Sequence, residues 1–307
     1  MKLLYLRKWV YYFSFLTLFI VGCKDDSIEE IKPDSPDVNE RQAAVDDYKK
    51  NYLGSTIANP EWTGNSKTCS SGSVSQASHE AVIKIINYFR HLVGLNGDCV
   101  LIPSLFSQLQ EAALMMTANN QLSHSPPASW SCYTPSGVTG AGSSNLALGS
   151  ASSAAITAFM FDNGSNNEAV GHRRWILHST KQKFSYGSTT NAMALYVFSQ
   201  DKNTIIPEFI AYPAKGYMPR TLVPERWSFS VPSADFTNAE VTIGSISGNI
   251  PVTIVSAAVK GYGDNTIVFK PTISLNDTAD VSYVVKVSGI KGAPQSTYRY
   301  TTTIFRP

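Results

Sequence analysis

Two stretches of this chain carry apolar residues at helical spacing, and its last third carries them at alternate positions. In "HEAVIKIINYFRHLVG", Val82, Ile85, Ile86, Phe89, Leu92 and Val93 share one stripe, which predicts an amphipathic helix N-capped by Ser78 and closed at Gly94. After Pro103, "SLFSQLQEAALMMTANN" repeats the stripe with Leu105, Leu109, Ala112, Ala113 and Met116, predicting a second helix with His124 just beyond its end. Residues 125–150 are rich in Ser, Gly and Pro and hold no period, so a long ordered loop is expected there. "SAAITAFMFDNG" then predicts a third helix, "GHRRWILH" a short fourth, and "KFSYGS" and "AMALYVFS" two strands.

From about residue 207 the texture changes. Runs such as "EVTIGSI", "PVTIVSAAV", "NTIVFKP", "VSYVVKVSGI" and "YRYTTTIF" alternate between Gly, Asn and Pro turns, and no helical stripe recurs. Residues 207–307 are therefore expected to form a separate all-β sandwich of immunoglobulin-like type, without the paired cysteines of the disulfide-pinned version. The aromatic stretches "YPAKGYMP" and "RWSFS" sit at the junction, where packing between the parts is expected rather than an exposed binding face.

The first 23 residues carry a different signal. A basic start (Lys2, Arg7, Lys8) leads into an apolar run from Trp9 to Val21 and then Gly22-Cys23, the pattern of an export signal rather than of a fold. "IVGC" resembles a bacterial lipobox, which assigns Cys23 to lipidation and predicts an exported outer-membrane lipoprotein held through its lipid anchor and displayed on the cell surface. Residues 24–74, opening on acidic, proline-punctuated sequence, are expected to be a disordered tether and linker. Losing Lys2, Arg7 and Lys8 from the 25 basic residues leaves 22 against 23 acidic ones, a net charge of −1. A mature chain this close to neutral, with no basic face, gives no support for a nucleic-acid partner.

Cys69, Cys99 and Cys132 remain, an odd number in an oxidising compartment. Spacing leaves three pairings open. The polar, loop-like surroundings of Cys69 and Cys132 favour their pairing, while Cys99, before "VLI", reads as a small buried hydrophobe.

The series "INYFRHLVGL", "AALMMTANNQLSHSPP", "SNLALG", "VGHRRWIL" and "ALYVFS", in that order across residues 83–198, resembles the CAP superfamily, the cysteine-rich secretory, antigen 5 and pathogenesis-related proteins, in its bacterial form. The resemblance implies an α+β protein in which residues 75–206 form an α-β-α sandwich with a concave cleft, where His124 faces His172. Where the family commonly has a glutamate, "SNLAL" places Asn145, which cannot serve as a base. Glu168, four residues before His172, is the nearby carboxylate expected to take the acidic role. Arg173 and Arg174 are expected to be structural, one paired with Asp162 or Glu168 and the other solvated, and His178 to cap the helix C-terminus.

Two neutral imidazoles can ligate zinc or a similar divalent ion, so His124 and His172 are the expected metal ligands, although a stable site ordinarily takes a third. The reading preferred from sequence is a surface-anchored lipoprotein whose cleft, lined by His124, His172, Asn145 and Glu168, binds a small molecule, lipid, glycan or protein rather than turning one over. The alternatives are a metal-assisted hydrolase with Glu168 as general base, and a purely structural surface protein. No G-x-S-x-G elbow supports a serine hydrolase.

Overall fold

The computed structural model describes residues 38–199, 201, 206–276 and 278–307; the expected export signal, Cys23 and residues 24–37 lie outside them. The described residues fall into one compact unit. No helix among the described residues is long and apolar enough to cross a membrane.

The described chain is a mixed α+β structure. Its helices are α1 (Val38–Asp47), α2 (Gln76–Leu92), α3 (Phe106–Asn119), α4 (Pro135–Gly142), α5 (Ser152–Phe161) and α6 (Gly171–Ile176). In the first part they surround a sheet of β1 (Val100–Leu101), β2 (Ser144–Leu148), β3 (Lys183–Ser188) and β4 (Ala192–Tyr196), ordered β1-β3-β4-β2. Within this sheet only the β1–β3 pairing is parallel.

Alternation along β4 explains why helices lie on both faces. Met193 and Leu195 join the core shared with α2 and α5, while Ala192 and Ala194 join the core of α3 and α4. The face of small residues lets α3 come close. Gly187 of β3 is the tightest point: a Cβ there would sit 2.1 Å from the Gln110 nitrogen. Gln110 then bonds the strand directly, donating to the Ser188 carbonyl at 2.7 Å and accepting from the Ser188 nitrogen at 3.0 Å.

Several sequence expectations need correction. Helix α2 starts earlier than Ser78, because Ser75 is the residue whose Oγ accepts the Ser78 N–H, at 3.2 Å. Ser78 is buried inside the helix, its hydroxyl bonded to Ser152 at 2.8 Å and to Tyr186 at 2.9 Å. The stretch 125–150 is not one long loop, since it holds α4 and β2. Thr134 caps α4 and Pro135 opens it. Its glycines serve packing rather than flexibility: a Cβ on Gly140 would lie 2.7 Å from the Gln108 carbonyl oxygen of α3.

Residues 38–74, expected to belong to a disordered tether, instead pack on the rest of the chain, because Tyr48 and Tyr52 supply apolar area to the core. Tyr48 stacks on Tyr52 at 5.2 Å, Tyr52 meets Tyr88 at 5.5 Å, and Arg41 makes a forked pair with Asp280 at 2.7 and 3.2 Å. The Cys69–Cys132 disulfide forms as expected, Cα atoms 5.0 Å apart, and Cys99 is a buried free thiol.

Residues beyond 206 form two sheets. One, ordered β10-β11-β7-β5, comprises β5 (Ile210–Tyr212), β7 (Trp227–Ser230), β10 (Val252–Ser256) and β11 (Thr266–Pro271). The other, ordered β6-β13-β12-β8-β9, comprises β6 (Gly216–Pro219), β8 (Glu240–Ser245), β9 (Gly248–Ile250), β12 (Val281–Ser288) and β13 (Thr297–Phe305). Ring contacts join them, Trp227 to Tyr283 at 5.9 Å and Phe229 to Tyr298 at 5.5 Å. Packing does not stop between 206 and 207: one cluster of buried side chains runs from Ile85 and Phe89 through Tyr212 to Trp227 and Phe229. The aromatics of "YPAKGYMP" and "RWSFS" are buried: Tyr212 meets the helical part, at 6.3 Å from Phe89 of α2, while Tyr217, Trp227 and Phe229 pack on rings of the sheets.

Gly187→Ala should lower stability by about 1–3 kcal/mol, the typical penalty of forcing extra volume into a packed core. A urea midpoint equal to that of the parent protein would show that α3 can move off the sheet at no expense.

Candidate functional site

Two helix ends deliver the histidines. α3 stops at Asn120, whose left-handed backbone (φ 48°) turns the chain into the segment bearing His124. The His124 ring donates from Nδ1 to the Ala141 carbonyl of α4 at 3.0 Å. α5 stops at Asp162, also left-handed (φ 51°), and the chain returns to α6, where His172 is the second residue.

Asp162 is the residue that builds this corner. One carboxylate oxygen accepts the His172 backbone N–H at 2.9 Å and the Arg173 N–H at 3.4 Å. The other accepts from His172 Nδ1 at 2.7 Å. The Asp162 side chain is fully buried, while that of His172 keeps 25% of its exposure. Phe159 packs against the His172 ring at 5.1 Å, and Asn145 donates to the His172 carbonyl at 3.0 Å.

A carbonyl and a carboxylate can only accept, so each imidazole must carry its proton on Nδ1. The nitrogen left for a ligand is therefore Nε2 in both rings, an acceptor when the ring is neutral. His124, His172 and Asn145 all line one cavity of about 350 Å³. Asn166 and Asn167 add amides to its wall, and Trp175, Phe198 and Tyr262 add rings.

Glu168 does not join them. It is exposed and absent from the cavity wall. The helix begins at Gly171, so Glu168 precedes it and the expected four-residue relation to His172 never forms. The carboxylate that meets His172 is Asp162, ten residues upstream, and the signal for it was an Asp-Asn-Gly at the end of an apolar helix, the composition of a left-handed stop.

The arginines also differ from expectation, since neither is solvated. Arg173 is fully buried and donates to the carbonyls of Met160 at 2.6 Å, Phe161 at 3.1 Å and Arg226 at 2.8 Å, and to the Ser228 hydroxyl at 3.2 Å. Burial pulls its pKa down to about 10, with the Asp162 charge opposing. Arg174 donates to the Asp264 carbonyl at 3.0 Å and lies over the Tyr262 ring at 5.5 Å. Trp175 is partly exposed and lines the cavity, while Ile176 is buried.

His178 does not cap the helix through its ring, because Asp264 draws it away, Nε2 to Oδ1 at 3.6 Å. Burial lowers its pKa, with Asp264 opposing. Asp264 itself accepts from the Ser179 N–H at 2.7 Å and hydroxyl at 3.0 Å.

The donor set does not fit zinc. Two imidazole nitrogens are offered, but no group of three His, Cys, Asp or Glu residues suited to a metal occurs among the described residues, and a stable zinc site ordinarily takes three protein ligands. Comparison of the chain with protein-family models, with curated proteins and with solved structures finds no match.

Asp162→Asn should cost about 1–3 kcal/mol, because an amide cannot accept from all three N–H groups without one of its oxygens. It should also release the Nδ1–H tautomer of His172 but not of His124, which imidazole nitrogen NMR resolves. A second expectation concerns pH. The unfolded chain protonates His178 near its ordinary pKa of 6.5 while the folded chain resists, so the stability from neutral His178 is full above that pH and is lost as the pH falls below it. The denaturant midpoint should fall on acidification from about pH 7.5 to about pH 5.5, and His178→Asn should flatten that fall.

Proposed function

We propose that this protein is a surface-displayed lipoprotein of the CAP superfamily whose cleft binds a ligand without transforming it, with residues 207–307 acting as an immunoglobulin-like spacer or adhesion module. The observation that carries the reading is the pairing of two sequence-distant imidazoles in one cavity, each with Nδ1 tied to the protein and Nε2 left for a ligand. Support comes too from helices on both faces of the first sheet, in keeping with the α-β-α arrangement that the motif series implies. Ligand recognition fits a wall that mixes apolar rings with a few placed polar groups.

A thermal-shift screen of the mature chain tests this. A compound at a hundred times its dissociation constant should stabilise the protein by about 2.7 kcal/mol and leave the His124→Ala/His172→Ala variant unmoved. Turnover of a defined substrate, abolished by His124→Ala, would overturn it. Lipidation is tested separately: labelled palmitate should enter the parent chain and not Cys23→Ala.

One observation favours a second reading, hydrolysis. A buried carboxylate on Nδ1 orients an imidazole for proton abstraction at Nε2, and Asp162 stands so against His172. This reading draws no support from Glu168 and routes no step through a metal. It requires ester or amide turnover that His172→Gln eliminates.

A further inference from the structure

The cavity shows what kind of ligand its wall can satisfy. No Lys, Arg, Asp or Glu is among the described residues lining it, so a charged ligand would leave solvent for a site without a counter-charge. The polar groups left over both accept and donate. Both imidazoles offer Nε2 as an acceptor, while Asn145 gives one amide N–H to the His172 carbonyl and Asn167 one of its own to the Asn163 carbonyl at 2.7 Å, so each keeps a second N–H beside its Oδ1, and Asn166 and Trp175 bring a further amide and an indole N–H to the same wall. Uncharged groups that accept and donate suit a ligand bearing several hydroxyls, each of which can do both.

The apolar part of the wall is aromatic. Trp175 and Phe198 meet edge to face at 4.9 Å, and Phe198 keeps 46% of its exposure. Tyr262 comes from far along the chain, in the connection between β10 and β11, and keeps 40%. Its position is built rather than incidental. Gly261 (φ 96°) and Gly263 (φ 64°) flank it in left-handed conformations that an L side chain rarely takes. Gly171 receives the ring, since a Cβ there would lie 2.9 Å from it, and the Arg174 guanidinium supports it by a cation–π contact.

From these features we infer that the cavity binds a neutral saccharide, with Tyr262 as a specificity-determining residue that the second part of the chain contributes. Sugar hydroxyls donate to the imidazole nitrogens and exchange hydrogen bonds with the amides, and the apolar C–H faces of the ring lie against the aromatics. A volume of about 350 Å³ is at the lower end of small-molecule sites and suits one or two sugar rings. This inference rests on the ligand-binding reading above and narrows it to one chemical class.

The test is calorimetric titration of the full mature chain with maltose, cellobiose and N,N′-diacetylchitobiose, beside choline and acetate as charged probes. Binding of at least one disaccharide, weakened tenfold or more in Tyr262→Ala, largely restored in Tyr262→Phe and lost in His124→Ala, is the expected result. Equal affinity in Tyr262→Ala overturns the role of that ring. If no disaccharide binds while choline, acetate or a hit from the thermal screen binds in a His124-dependent way, the saccharide inference falls and the ligand-binding reading stands. If nothing binds in either assay, both fall.

Discussion

At the corner between α5 and α6 a carboxylate and a guanidinium are both taken out of water, and the candidate site hangs from them. Asp162 and Arg173 retain 1% and 0% of their exposure. Ions so buried lose several kcal/mol of hydration each, and only a full set of hydrogen bonds offsets that loss. Here the set is nearly complete: Asp162 satisfies the first N–H groups of α6 and the His172 ring, while Arg173 closes the last carbonyls of α5 and reaches β7. Arg226 completes the corner by donating to the carbonyls of Asp162 and Gly164. The ring of His172 is thus oriented by the same contacts that fasten the helical part to the sheets behind it.

That fastening makes the cavity a joint product of both parts of the chain. His124, Asn145 and His172 come from the helical part, but Tyr262 approaches from the β10–β11 connection, and Asp264, two residues on, is held by Ser179. The same connection therefore bears a ring of the cavity wall and a structural bond. A site assembled this way is sensitive to how the two parts dock, and the shared core from Phe89 to Phe229 keeps that docking fixed.

The resulting wall has no Lys, Arg, Asp or Glu among its described residues and both accepts and donates hydrogen bonds. Asn145 offers an amide, which cannot serve as base, and Asp162 is spent inside the protein on N–H groups. What reaches the cavity is two imidazole nitrogens, amide groups and aromatic faces.

Periodicity by itself determined the main helices and strands, because a 3.6-residue stripe or an alternation is written into consecutive residues and survives any packing. Local sequence also singled out the two histidines and Asn145, through the motifs that carry the family resemblance, and favoured the disulfide that forms, through the polar surroundings of its cysteines. It could not reach α4, whose Gly-rich sequence looks like a loop until α3 is present to require close approach. Nor could it choose Asp162 over Glu168 as the partner of His172. Both are acidic and near, and what decides between them is the left-handed turn at the end of α5, which brings Asp162 back while Glu168 stays outside the helix. Tyr262, ninety-one residues after Gly171, reaches the cavity only through the docking of the sheets. Local pattern fixes elements because their hydrogen bonds close within a few residues, whereas a site is closed by contacts between elements, whose partners only the folded chain selects.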